Sequence, residues 1–125
     1  MEIESLIKTI IQCAYNVRMH LAAGFLEAVY QKALVIELKE KGIDAETEAP
    51  INVYYKNIVV GEFRADIIVE KKIIIELKAV QNLIPIHETQ LVNYLTATNT
   101  DHGLLINFGG ERIEIKRKFR EYKHL

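Results

Sequence analysis

Asp66, Glu76 and Lys78 are the residues of this chain whose types and spacing could do chemistry. Side chains of a β-strand alternate between faces, so Glu76 and Lys78 point one way while Leu77 points the other. With a tight turn at Lys71-Lys72, Asp66 falls on the adjacent strand, roughly opposite Glu76 or Lys78. Cross-strand partners have Cβ atoms about 4.5–5.5 Å apart. Two carboxylates at that range repel each other, and one lysine relieves only part of the cost. A divalent cation resolves the conflict, because Mg²⁺ is held by one or two carboxylates together with waters and phosphate oxygens. Such an ion polarises a phosphate and helps to generate a hydroxide nucleophile. Lys78 then orients the attacking water or neutralises charge on phosphorus. The plainer alternative is a solvated strand face with an ion pair worth about 0–1 kcal/mol. Against it, Ile73, Ile74, Ile75 and Leu77 surround Glu76, and Ile67, Ile68 and Val69 follow Asp66. Charges in strands of that composition need a reason.

Other polar residues gather around this core. Gln90 and Tyr94 are four apart and share a helix face. They could contact a phosphate, a base or a metal-bound water, or form an ordinary half-buried helix face. Glu27, three residues after Gly24 and three before Tyr30, reads in isolation as a surface helix acid. Arg64 shares a strand face with Asp66 and is the best single candidate for a phosphate contact. Lys116, Arg117, Lys118, Arg120 and Lys123 form a basic tail, which either follows a nucleic-acid backbone or is a solvated last strand. His87-Glu88 lacks a second histidine at helical spacing, so no zinc motif is present, and Glu88 reads as helix surface beside Gln90.

These side chains need elements to hold them. Ile3, Leu6, Ile7, Ile10, Ile11, Ala14 and Val17 recur at helical spacing, and Leu26, Val29, Tyr30, Ala33, Leu34 and Leu38 predict a second helix that stops at Gly42. Extended segments follow at Ile51–Tyr55, Ile58–Glu70 and Ile73–Val80, joined at Lys56-Asn57 and Lys71-Lys72 as an antiparallel meander. Pro85 opens a third helix to about Thr98, with Ile86, Leu91, Leu95 and Tyr94 facing inward. Gly103–Phe108 is a short buried strand, and Gly109-Gly110 turns into a last strand, Arg112–Lys118. The order predicts an α/β sandwich around a mixed sheet, in one domain over residues 1–125.

The chain has 125 residues and a formal net charge of −1, so a polyanion must be held by a local patch or a bound cation. Cys13 is the one cysteine, which excludes an internal disulfide and suits a cytoplasmic setting as a packed thiol. Neither a signal peptide nor a run of about 20 apolar residues is visible, so no membrane partner is expected.

With these elements placed, Gly24-Phe25-Leu26-Glu27-Ala28-Val29-Tyr30 resembles the GxxExxY signature of a group of small bacterial and archaeal proteins. Asp66…Glu76-Leu77-Lys78 followed by Gln90-x-x-x-Tyr94 resembles the PD-(D/E)XK nuclease superfamily, especially its RecB-like branch. The likeness spans nearly the whole chain, including Gly103-Leu104-Leu105-Ile106-Asn107-Phe108-Gly109; Ala65 stands where the motif has proline, which a strand accommodates. The resemblance implies a restriction-endonuclease-like fold, a Mg²⁺ (or Mn²⁺) site and phosphodiester hydrolysis in nucleic acid, with DNA favoured over RNA. It assigns Asp66, Glu76, Glu27 and the Leu77 backbone carbonyl to the metal. Asp66, Glu76, Lys78, Gln90 and Tyr94 become the catalytic set, and Arg64, Gln90 and Tyr94 meet nucleic acid. A homodimer would present two sites to a duplex, with Ile113 and Ile115 of the last strand as candidate exposed contacts. The alternative is a catalytically silent nuclease-fold module that binds nucleic acid or a protein, which suits the small size and near-neutral charge.

Overall fold

A computed structural model describes residues 1–122; Lys123 of the basic tail lies outside the described residues. The helical stripe of Leu6, Ile7, Ile10, Cys13, Ala14 and Val17 is the buried side of α1 (Ile3–His20). In α2 (Glu27–Glu40) the buried seam is narrower, Tyr30, Leu34 and Leu38. Leu26 and Val29, expected inward, are exposed, because the helix begins at Glu27 and only one seam of it meets the core.

The strands are β1 (Ala45–Tyr55), β2 (Ile58–Val69), β3 (Ile73–Lys78), β4 (His102–Asn107) and β5 (Glu114–Phe119), with α3 (Pro85–Thr98) between β3 and β4. They form one mixed sheet in chain order. The first three are antiparallel, β3 and β4 are parallel, and β5 is antiparallel to β4. A parallel pair needs a crossover, and α3 supplies it. Helices α1 and α2 cover one face, packing on Ile67, Val69, Ile73, Ile75, Leu77, Leu104 and Ile106. Leu91, Tyr94 and Leu95 of α3 cover the other, against Ile51, Ala65, Ile74 and Leu105. Burial on both faces explains the unbroken apolar run of β3. This α/β layering is the restriction-endonuclease-like architecture expected.

Several local expectations are corrected. Strand β1 begins at Ala45 rather than Ile51, its exposed Glu46 and Glu48 having disguised the alternation as a loop. The second turn centres on Glu70 and Lys71 (φ 51° and 56°), one residue before the predicted pair. Ile86 is exposed on the first turn of α3, and β5 begins at Glu114. Ile113 and Ile115 are half-buried against the α1–α2 core, so they do not form an exposed edge. Strand β3 meets β2 only at Ile67, Ile68 and Val69, whereas β1 and β2 pair on to Tyr55 and Ile58. The far half of that hairpin therefore projects as a two-stranded arm, turned at Lys56-Asn57 with both φ values positive.

Candidate active site

The β2–β3 register pairs Ile67 with Ile75, so its continuation sets Asp66 opposite Glu76. Here side chains replace the backbone ladder. The Asp66 N–H donates to Glu76 Oε1 at 3.2 Å, and the Leu77 N–H donates to Asp66 Oδ2 at 2.7 Å. The strands part, and two carboxylates occupy the gap. N–H and C=O of one strand residue point to the same edge, so the Leu77 carbonyl faces this gap as well.

Strand β1 is irregular at the same level. The pairs Thr47–Ile67 and Ala49–Ala65 flank Glu48 and Asp66, and Glu48 has φ 52°, uncommon for a residue with a side chain. Both strands change face here: Ala45 and Ile67 pack on the α1–α2 core, but Ile51 and Ala65 on the α3 core. Glu48, Asp66, Leu77, Glu27, Ala28 and Gln31 line a small cavity of about 130 Å³. Gln31 Nε2 donates to the Asp66 carbonyl at 2.8 Å, tying α2 to the site.

Glu27 reaches this cavity because of the turn before it. Gly24 has φ 114°, a conformation open to glycine alone. Tyr30 is fully buried; its hydroxyl donates to the Ala22 carbonyl at 2.6 Å and accepts the Phe25 N–H at 3.2 Å. Its ring stacks on Phe108 at 4.7 Å. Gly24 and Tyr30 thus fix the loop that sets Glu27 at the start of α2.

Burial, followed by the charge of Asp66, pushes the Glu76 carboxyl up to about 8. Burial also raises Asp66, against the Leu77 N–H, which favours its ionised form; Glu48 adds to the rise and Lys78 opposes it. Glu27 is raised by burial, with Lys78 opposing and Asp66 adding. Lys78 is therefore the cation that these three acids feel in common. Its carbonyl accepts the Phe108 N–H at 2.9 Å. Just beyond it, the fully buried Asn107 accepts the Val80 N–H at 3.0 Å and donates to the Val80 carbonyl at 2.9 Å, pinning the end of β3.

On the α3 side, Gln90 Nε2 donates to the Tyr94 hydroxyl at 2.9 Å. Burial raises Tyr94, and Glu76 and Asp66 add to the rise, so the pair stands within the field of the acids. Arg64 is exposed, its Nη1 donating to the Glu48 carbonyl at 3.4 Å. Glu88 is paired with Lys118 at 3.0 Å, away from the acids. Arg117 pairs with Glu4 at 2.8 Å and Arg120 with Asp101 at 2.9 Å, so most of the described basic tail is already neutralised.

Two repelling, half-buried carboxylates and a carbonyl facing one gap are the hard oxygen donors that suit Mg²⁺ or Mn²⁺. Among the described residues no three His, Cys, Asp or Glu side chains stand together as a ready-made metal cage. The donor set therefore fits an ion that takes two carboxylates and keeps its waters, with Glu27 and Glu48 at the rim. Glu48, Gln31 and Asn107 are the site residues that sequence reasoning missed. Glu48 could have been found by extending the small-or-apolar alternation of β1 back through Ala49, Thr47 and Ala45. Gln31 and Asn107 carry no such signal.

The family model of the PD-(D/E)XK nuclease superfamily matches residues 4–118. Among solved structures, the crystal structure of SSO0001 is similar at 24% identity and a TM-score of 0.58. The match covers 78% of this chain and 52% of that one, so this chain spans about half the length of its structural neighbour. That likeness shows the fold. No curated protein matches the chain.

Proposed function

The chain belongs to the PD-(D/E)XK nuclease superfamily, and from that premise we propose that it is a metal-dependent nuclease hydrolysing phosphodiester bonds. The observation that supports this most is the interruption of the β2–β3 ladder by Asp66 and Glu76. A stable sheet gains nothing from replacing ladder bonds with two repelling acids. Asp66, Glu76 and the Leu77 carbonyl would hold Mg²⁺ or Mn²⁺, with Glu27 approaching from α2. When bound, the ion supplies Lewis-acid polarisation of the phosphate and lowers the pKa of water. The residues then divide the remaining work. Glu76 orients the attacking water. Lys78 offsets charge developing on the phosphate oxygens, a role worth about 10²–10³ in rate. Gln90 and Tyr94 position the strand, and Arg64 contacts a neighbouring phosphate.

We further place the chain in the GxxExxY group and the RecB-like branch, acting on DNA in the cytoplasm as a single domain over residues 1–125, in a homodimer. Its free, buried Cys13 suits a reducing compartment. The test is a cleavage assay with Mg²⁺ or Mn²⁺ over single-stranded, duplex and structured DNA and RNA. Cleavage by the wild type is expected, with loss in Asp66→Ala and Glu76→Ala and a drop of about 10²–10³ in Lys78→Ala. A catalytically silent binding module is the second reading, which the near-neutral charge and small size suit. It predicts nucleic-acid or protein binding that ignores chelators and survives Glu76→Ala.

A further inference from the structure

A cavity of about 440 Å³ lies between α3 and the projecting β1–β2 arm, lined by Tyr94, which the charges of Glu76 and Asp66 reach. Its size falls in the range of small-ligand pockets, about 300–1,000 Å³. Gln90 and Tyr94 form the wall nearest the acids, Phe63 and Val53 come from the arm, and Asn93 and Thr96 complete the α3 side. Phe63 is 43% exposed yet positioned. Its ring stands 5.4 Å from that of Tyr94 at 41°. It also approaches Gly61, where a Cβ would come within 2.9 Å of Phe63 Cε2. A glycine inside a strand weakens it and marks a close approach, here of the partly exposed Phe63 ring.

The lining chemistry selects the occupant. Among the described residues no lysine or arginine lines the cavity, and Glu121 stands at its rim, so a phosphate is disfavoured. What remains is an aromatic face flanked by amides. Gln90 spends an N–H on Tyr94, and among the described residues its carbonyl oxygen has no partner. Asn93 is exposed and makes no side-chain hydrogen bond among the described residues. A flat π-system with donors and acceptors around its edge matches that lining, and base–aromatic stacking tolerates any sequence.

We propose that this cavity takes one unpaired nucleobase, stacked on Phe63 with its edge met by Gln90 and Asn93, from the strand whose phosphate lies at Asp66 and Glu76. The inference rests on the nuclease reading and narrows its substrate to unpaired or locally opened strands. A base in a duplex is stacked and paired, and entering the cavity requires its extrusion, at a cost of a few kcal/mol in general.

The test uses a short oligonucleotide carrying 2-aminopurine, single-stranded or annealed to its complement, with Ca²⁺ in place of Mg²⁺. The wild type is expected to change the 2-aminopurine fluorescence of the single strand far more than that of the duplex. Phe63→Ala, at a position 43% exposed and with its folding checked by circular dichroism, is expected to abolish that change and weaken single-strand affinity about tenfold, as for one lost stack. Asn93→Ala weakens it less. Equal affinity and signal in Phe63→Ala and wild type overturn the base pocket, as does equal preference for duplex. A cleavage assay of wild type and Glu76→Ala with Mg²⁺ runs alongside. Cleavage that Phe63→Ala leaves unchanged on single strands also overturns the pocket and leaves the nuclease standing. A Phe63-dependent signal without any cleavage by the wild type supports the pocket and removes the nuclease.

Discussion

Two carboxyls, Asp66 and Glu76, share one gap, and the proton they hold between them governs how the protein responds to pH. Glu76 binds its proton up to about 8 in the folded chain, against an ordinary value of 4.5. Between those values the folded state keeps a proton that the unfolded state has released, so protonation stabilises the fold. That contribution is present in full below the ordinary value and is lost as pH rises through about 8. Thermal unfolding without divalent ions should therefore show stability falling across this window, by an amount on the order of a few kcal/mol. Glu76→Gln mimics the protonated acid and should flatten the profile; a profile identical to wild type contradicts the assignment. Asp66, Glu76 and Lys78 were legible in the sequence because strand periodicity places them without any long-range information, and Gln90 with Tyr94 because helix periodicity does. The alternation through Ala45, Thr47 and Ala49 puts Glu48 on a strand, but its level beside Asp66 was not legible, because that depends on how two strands cross between two cores.

At the scale of elements, the switch of face in β1 and β2 presents Glu48 and Asp66 at one level. Glu48 occupies a left-handed backbone conformation that costs a residue with a Cβ roughly 1–2 kcal/mol. Glu48→Gly should leave the fold as stable or up to about 1 kcal/mol more stable by denaturant unfolding, while weakening divalent binding. A marked loss of stability would mean that the conformation is not strained. Asn107 works differently, by pinning the end of β3 through Val80 and so steadying Lys78. Asn107→Ala strands buried backbone groups and should cost about 2–3 kcal/mol, with cleavage reduced even where the variant remains folded. The helices, the meander and the crossover were readable from apolar spacing and turn residues. The early start of β1 was not, since exposed edge positions such as Glu46 and Glu48 accept charge and look like loop.

For the whole molecule, the net charge of −1 supplies no global attraction for a polyanion, and Arg117, Lys118 and Arg120 of the basic segment are already paired internally. Binding to single-stranded DNA should show a shallow salt dependence. About two phosphates, at Lys78 and Arg64, give a log–log slope of roughly −1.4 at about 0.7 per contact. Arg64→Ala should flatten it by about half, whereas a slope several times steeper would place the interface on the basic strand instead. The basic tail was visible in the sequence, but its partners Glu4, Glu88 and Asp101 lie on other elements, and that pairing exists only once the chain folds. The most direct test of the central claim is a calorimetric titration of Mn²⁺ into wild type and Glu76→Gln. The wild type should bind at a saturable site, releasing a proton when the pH lies below about 8, and the variant should lose that site. Saturable binding of equal strength in both proteins, or in neither, would contradict a metal centre built on Asp66 and Glu76.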